Sequence, residues 1–139
     1  MDGFRILLVD DEVEFLETLV KRMKKRGMNV SAVKSGEEAL ERLAHDPVDV
    51  VVLDVRMPGM DGIQTLREIK RRDPLIEVIM LTGHASLEVA VEGMEIGAFD
   101  YLMKPINIDD LIYKAQDANK KKEIQKEKIR HMEGVESEE

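Results

Sequence analysis

The chain has 139 residues, 43% of them hydrophobic and 36% charged, a length that suits one domain with one core. Its 21 Lys and Arg against 29 Asp and Glu give a net charge of −8, which argues against a general nucleic-acid binder because such proteins need a basic surface. The lack of cysteine excludes disulfides, zinc–thiolate sites, iron–sulfur clusters and thiol nucleophiles. The N-terminal segment shows no signal-peptide pattern and no long apolar run, so we expect a soluble, cytoplasmic, single-domain protein.

Five short apolar or β-branched runs predict strands, at residues 6–9, 30–33, 50–53, 78–81 and 101–103. Their apolar character is continuous rather than alternating, which is typical of strands buried on both faces of a parallel sheet. Between these runs apolar residues recur at helical spacing, and most of the glycines and prolines fall between the predicted elements. The alternation predicts an α/β fold, a doubly wound five-stranded parallel sheet of the (βα)5 type with helices on both faces.

The last predicted helix changes character after Asn119. Residues 119–139 contain six basic and six acidic residues, so the first 118 residues, with 15 basic against 23 acidic, carry the whole charge of −8. We assign residues 1–118 to the domain and residues 119–139 to a C-terminal helical extension with an acidic tail. The extension is either a solvated helix with a disordered Glu-rich end or a dimerising coiled coil. The coiled-coil register has two polar residues among its seven positions, which are Leu111, Ala115, Ala118, Lys122, Gln125, Ile129 and Met132.

Polar side chains follow four of the five predicted strands at their carboxyl ends. Asp10 and Asp11 follow the first strand, Asp54 the third, Thr82 the fourth and Lys104 the fifth. Each of these residues alone would more often be a turn former, a helix cap or a surface lysine. In a doubly wound sheet, however, the carboxyl ends form one edge, and ligands bind in the crevice there. Their joint occurrence therefore predicts one pocket with three carboxylates, a hydroxyl and an ammonium group.

Three carboxylates packed together repel one another unless a positive charge lies among them. Oxygen ligands without His or Cys select a hard cation, and a few carboxylates with room for water suit Mg²⁺, or Mn²⁺, better than Ca²⁺. A metal, an ammonium and a hydroxyl around one carboxylate are the groups needed to hold a phosphoryl group during in-line transfer. Asp54, on the central strand, is the predicted nucleophile that would form an aspartyl-phosphate.

Four sequence motifs, ILLVDDE, VVLDVRMPGMDG, IMLTGHA and GAFDYLMKP, lie in this order along residues 4–118. Together they resemble the receiver domain of the response regulators of two-component systems. The resemblance implies the flavodoxin-like strand order 2-1-3-4-5, extended here by the long C-terminal helix. It also implies a phosphoprotein that takes part in a phosphorelay, and the ending GHA resembles receivers attached to transcriptional activators.

The resemblance implies roles for the acidic residues of the pocket. Asp54 would be the phosphoacceptor and, with Asp11, a carboxylate ligand of Mg²⁺. Asp10 would contact the metal through a water molecule, or would contact the metal ligands. Arg56 would bind the metal through its backbone carbonyl. Arg56 and His84 would also occupy the two variable positions that tune the lifetime of the phosphoryl group.

The resemblance implies further roles at the ends of the last two strands. Lys104 would contact the phosphoryl group, and its bond to Pro105 would be a cis peptide. Thr82 and Tyr101 would form the switch pair, in which the hydroxyl moves toward the phosphoryl oxygen and the ring turns inward.

The resemblance implies a signalling module that takes a phosphoryl group from a sensor histidine kinase or phosphotransfer protein. It would not be a turnover enzyme, although it could lose the phosphoryl group by itself. Its output surface would be the fourth helix, fifth strand and fifth helix, which would meet a downstream protein, an output domain or a second copy, but neither nucleic acid nor membrane. Two alternatives stay open, a haloacid-dehalogenase-type phosphatase, whose nucleophile follows the first strand in a D-x-D motif, and a scaffold or dimerisation module without phosphotransfer.

Overall fold

A computed structural model of the chain describes residues 3–56, 61–83 and 87–138. Strands and helices alternate along it, in the order β1 (Arg5–Val9), α1 (Val13–Lys25), β2 (Asn29–Val33), α2 (Gly36–His45), β3 (Val50–Asp54), α3 (Gly62–Arg72), β4 (Glu77–Thr82), α4 (Leu87–Ile96), β5 (Asp100–Met103) and α5 (Ile108–Glu138). The five strands form one parallel sheet in the order β2-β1-β3-β4-β5. The predicted doubly wound (βα)5 fold, with strand order 2-1-3-4-5 and an extended last helix, is confirmed.

Each strand is one or two residues longer than the apolar run that predicted it. The extra residues are polar, but their backbones continue the ladder, since Asp54 lies beside Leu81 and Thr82 beside Met103 in the register. Asp54 and Thr82 are therefore the last residues of β3 and β4 and do not follow them. Backbone pairing holds both side chains at fixed positions on the edge of the sheet.

The central strand β3 is buried along its whole length, which explains its unbroken apolar sequence. Successive side chains of a strand point to opposite faces of the sheet, so the core has two layers. Leu40 and Leu66 belong to the layer that α2, α3 and α4 cover. Leu19 and Leu111 belong to the layer that α1 and α5 cover. The helices thus close both faces and leave the carboxyl edge of the sheet for a site.

The start of α3 is fixed by a reciprocal pair of hydrogen bonds. The Asp61 carboxylate accepts the backbone N–H of Gln64 at 2.8 Å, and the Gln64 side chain accepts the backbone N–H of Asp61 at 3.2 Å. Such a capping box satisfies two of the otherwise unpaired donors at a helix N-terminus and stabilises it by about 1 kcal/mol. It fixes the residue at which α3 begins.

The first turn of the C-terminal extension contacts the amino edge of the sheet, opposite the predicted pocket. The Lys122 ammonium donates to the carboxylate of Asp49, which also accepts the backbone N–H of Arg5 at 2.7 Å. Lys121 Nζ lies 3.6 Å from the buried carboxylate of Glu77. The boundary predicted at 118/119 from composition therefore falls within the part of α5 that contacts the domain.

Beyond these contacts α5 continues as a helix to Glu138. Ile124, Ile129 and Met132 are about half exposed or more. Pairing of this segment with a second copy stays a prediction. No helix in the described ranges combines the length and the apolar character needed to cross a membrane.

We expect Lys122→Met to lower the free energy of unfolding by about 1–2 kcal/mol. Methionine keeps the apolar stem, but it leaves the Asp49 carboxylate, whose side chain is 23% exposed, without its cationic partner. Urea unfolding measures the loss. The control is Lys128→Met, an exposed position further along α5, where we expect no change. Equal stability of the two variants would show that the Lys122–Asp49 pair does not stabilise the domain.

Candidate functional site

The carboxyl edge of the sheet gathers the side chains that the sequence placed at the strand ends. Asp10 follows β1, Asp54 ends β3, Thr82 ends β4 and Lys104 follows β5. Backbone hydrogen bonds tie the last two together, since the Lys104 N–H donates to the Thr82 carbonyl at 2.8 Å. Parallel pairing thus brings residues from the whole length of the domain into one crevice.

Asp54 lies at the centre of this crevice and is 4% exposed. Its Oδ1 atom accepts the backbone N–H of Arg56 at 3.0 Å, and its Oδ2 atom lies 3.8 Å from Lys104 Nζ. Burial raises the pKa of the Asp54 carboxyl to about 6, and the negative charge of Asp10 adds to this effect. The Arg56 N–H and the Lys104 charge oppose the shift without cancelling it. Asp54 is therefore a buried carboxyl that is ionised at neutral pH but binds a proton more readily than an exposed one.

Lys104 reaches into the crevice from the end of β5. Its Nζ atom lies 2.6 Å from Glu12 Oε1, 2.8 Å from Asp10 Oδ2 and 4.4 Å from the centre of the Phe15 ring. Burial by itself would lower the pKa of the Lys104 ammonium, but the carboxylates of Asp10 and Glu12 outweigh it and raise that pKa. The lysine is thus a fixed positive charge. Its peptide bond to Pro105 is cis, the isomer that the family resemblance implies.

Three carboxylates face one another in the crevice, those of Asp10, Glu12 and Asp54. One oxygen of each lies within 4.8 Å of the others, a spacing at which they could share one cation. The Asp10 side chain is buried, and its Oδ2 atom lies 2.8 Å from the Lys104 ammonium. An oxygen-only donor set of three carboxylates, with one ammonium group among them, fits a hard divalent cation such as Mg²⁺.

The grouping of carboxylates differs from the predicted one. Asp11, which the resemblance implies as a ligand, is exposed and lies outside the group, while Glu12 belongs to it. Glu12 was missed because it occupies the N-cap position of α1, where a strand-end pattern gives no reason to choose it. Its position in the run DDE, two residues beyond Asp10, was the signal that could have indicated it. The ligand role of Asp11 stays a prediction.

The predicted switch and tuning residues occupy different environments. Thr82 is buried, whereas Tyr101, two residues before the partner of Thr82 on β5, is 38% exposed. The Arg56 side chain is exposed, and its backbone N–H is the group that contacts Asp54. His84 lies outside the described residues. The structure therefore places Thr82 beside the crevice and Tyr101 near the surface.

The chain is thus an α/β protein in which a buried carboxyl, a fixed ammonium and two further carboxylates meet at the carboxyl edge of a doubly wound sheet, where the carboxylates could share a cation. Residues 6–116 match the family model described as the response regulator receiver domain. The chain belongs to this family, the receiver domains of two-component signal transduction. Membership confirms the resemblance and gives no support to the phosphatase alternative.

Curated relatives and solved structures agree with this assignment. The chain is 44% identical over 110 residues to the transcriptional regulatory protein ZraR of Escherichia coli K12, an alignment of 79% of this chain and 25% of ZraR. It is 40% identical over 107 residues to the DNA-binding transcriptional regulator NtrC of the same strain, over 77% of this chain and 23% of NtrC. The chain thus spans about a quarter of the length of these relatives.

Two solved structures share the fold. The structure of NtrX from Brucella abortus in complex with ADP matches with a TM-score of 0.85 and 30% identity, over 91% of this chain and 29% of that one. A response regulator receiver domain protein from Clostridium thermocellum matches with a TM-score of 0.83 and 35% identity, over 88% of this chain and 99% of that one. The second structure is a response regulator receiver domain, and the match covers it almost completely.

Proposed function

We propose that this receiver domain accepts a phosphoryl group on Asp54, in a Mg²⁺-dependent transfer from the phosphohistidine of a sensor kinase or phosphotransfer protein. The observation that carries the proposal is the buried Asp54 carboxyl, which lies within 3.8 Å of the Lys104 ammonium and within 4.8 Å of two further carboxylates. A bound Mg²⁺ would neutralise this group of carboxylates and the charge on the phosphoryl oxygens. Asp54 and Asp10, with Glu12 or Asp11, are the residues that would hold it.

Different side chains of the crevice would have different roles in the transfer. An oxygen of the ionised Asp54 forms the bond to phosphorus while the bond from phosphorus to the imidazole nitrogen breaks, and the released histidine takes up a proton. The Asp54 carboxyl is largely ionised at pH 7 even though burial raises its pKa, and a bound Mg²⁺ would favour the ionised form further. Lys104 and Thr82 would contact two of the phosphoryl oxygens. These contacts replace water around a charge that would otherwise be buried without partners.

The output surface we propose is the face formed by α4, β5 and α5. Large apolar side chains stand exposed on it, and they are Val91 and Met94 on α4, Tyr101 and Met103 on β5, and Tyr113 on α5. An exposed apolar patch on a monomer commonly marks a protein interface. Phosphorylation adds about two negative charges at the adjacent edge of the sheet, and a loop packing that satisfies them would change this face. A downstream protein, an output domain or a second copy would bind there, whereas the acidic domain would not contact nucleic acid.

Labelling with acetyl phosphate tests the phosphoryl transfer. We expect the intact mass to rise by one phosphoryl group in Mg²⁺ or Mn²⁺, and not in excess EDTA, because the transfer needs the metal charge. Reduction with borohydride followed by peptide mapping should place the modification at residue 54. Labelling in EDTA, or at another residue, would contradict the proposal. No labelling with any metal, together with no binding of beryllofluoride, would favour the scaffold alternative.

A further inference from the structure

Glu12 occupies the N-cap position of α1 but does not cap the helix, because its side chain makes no hydrogen bond to the first turn. Short side chains such as Ser, Thr, Asp and Asn are preferred there, since they reach the free N–H groups. The Glu12 carboxylate instead accepts a hydrogen bond from Lys104 Nζ at 2.6 Å, across 92 residues of sequence. Its own backbone N–H donates to Asp10 Oδ1 at 2.9 Å. Asp10 thus holds the backbone of Glu12, and the Glu12 carboxylate faces the Lys104 ammonium.

Three carboxylates lie at increasing distances from Lys104 Nζ, and the phosphoacceptor is the farthest of them. Glu12 is nearest at 2.6 Å, Asp10 follows at 2.8 Å, and the phosphoacceptor Asp54 is farthest at 3.8 Å. A phosphoryl group on Asp54 would extend beyond the Asp54 oxygen, so its contact with Lys104 would bring a further anion to an ammonium that Glu12 already contacts. The two anions thus compete for one ammonium group.

We propose that Glu12 is a positioning residue that holds the Lys104 ammonium back from Asp54 until a phosphoryl group takes its place. The proposal rests on the proposed function, in which Asp54 receives that group. Asp10 and the Phe15 ring, which lies 4.4 Å from Lys104 Nζ, keep the lysine in the crevice after Glu12 releases it. Glu12 thereby lowers the affinity of the unmodified pocket for a phosphoryl group, and it does so without touching the reacting atoms.

The size of this effect follows from the exposure of Glu12. Its side chain is 63% exposed, so water screens the ion pair and its contribution is modest. Replacing Glu12 by glutamine keeps the shape of the side chain and removes its charge. We expect the affinity for a phosphoryl analogue to rise by about two- to fivefold, because the competing partner of Lys104 is lost. A residue that merely supported the loop would give the opposite result, a weaker site.

The experiment is a calorimetric titration of the full chain with beryllofluoride at saturating Mg²⁺. Glu12→Gln should bind it about two- to fivefold more tightly than the wild type. Glu14→Gln removes the same charge from an exposed position in the first turn of α1, and it should bind as the wild type does. Equal or weaker binding by Glu12→Gln overturns the inference, and weaker binding favours Glu12 as a ligand of the metal. Failure of the wild type to bind would instead overturn the proposed function.

A spectroscopic measurement follows Lys104 directly. In NMR spectra of the metal-loaded protein, Glu12→Gln should shift the side-chain signals of Lys104, whereas Glu14→Gln should leave them in place. With beryllofluoride bound, the signals of Glu12→Gln and the wild type should coincide, because the ammonium then contacts the analogue in both proteins. Signals that are the same before beryllofluoride is added, or that stay apart after it binds, would overturn the inference.

Discussion

Replacing Asp54 by asparagine should reduce Mg²⁺-dependent labelling by acetyl phosphate to below detection. The amide has nearly the shape of the carboxyl group, but it offers no anionic oxygen to form a bond to phosphorus. Intact mass measured over a time course gives the extent of labelling. The control is Asp117→Asn, an exposed position on α5, which should label as fast as the wild type. Labelling of Asp54→Asn at the wild-type rate would remove Asp54 from the role of nucleophile.

The same substitution should stabilise the metal-free fold at neutral pH. The pKa of Asp54 is raised from 3.8 to about 6, so the folded state binds its proton more tightly than the unfolded state does. This contribution to stability is complete below pH 4 and is lost as the pH rises through about 6. Asp54→Asn has no carboxyl group to ionise, so it should be more stable than the wild type by about 3 kcal/mol above pH 7 in EDTA.

Urea unfolding in EDTA between pH 4 and pH 8 measures this difference. The two proteins should be about equally stable at the acid end, and the advantage of the variant should grow as the pH rises. Asp117→Asn should show no such growth, since its side chain is exposed in both states. A difference in stability that does not depend on pH would show that burial of the Asp54 charge is not its cause.

The fold could be predicted from the sequence because burial controls the residue pattern strongly. A strand covered on both faces, such as β3, allows apolar residues at nearly every position, and its bounds were predicted to within one residue. The polar residue that ends such a run then stands out, which is how Asp54 and Thr82 were found. Parallel pairing makes these ends adjacent, so the crevice followed from the topology.

The contacts within the crevice could not be predicted in the same way. Asp11 and Glu12 lie next to each other in the loop after β1, and only the backbone path into α1 decides that Glu12 faces Lys104 while Asp11 faces solvent. The contact between the C-terminal extension and the domain could not be predicted either. Composition changes after Asn119, but Lys122 finds its partner Asp49 73 residues away. Pairs of charged residues distant in sequence leave no periodic pattern to read.

Gly62 is a further residue whose importance appears only in three dimensions. A Cβ atom at this position would lie 2.2 Å from the Cα of Val55 and 2.7 Å from the carbonyl oxygen of Asp54. The Gly62 N–H also donates to the Val55 carbonyl at 3.3 Å. The first residue of α3 therefore packs directly on the backbone that follows the phosphoacceptor. Only glycine allows the two segments to come so close.

Gly62→Ala should lower the free energy of unfolding by about 3 kcal/mol, because the atoms that its methyl group would meet are backbone atoms and cannot turn aside. Relief requires α3 to shift away from β3, so beryllofluoride binding at Asp54 should weaken as well. Gly93→Ala should cost less, since its methyl group would meet the flexible end of the Met80 side chain. Gly134→Ala, which adds a methyl group to open space on α5, should be neutral or stabilising by up to about 1 kcal/mol. Urea unfolding ranks the three variants, and a Gly62→Ala protein as stable as Gly134→Ala would show that α3 does not need this close approach.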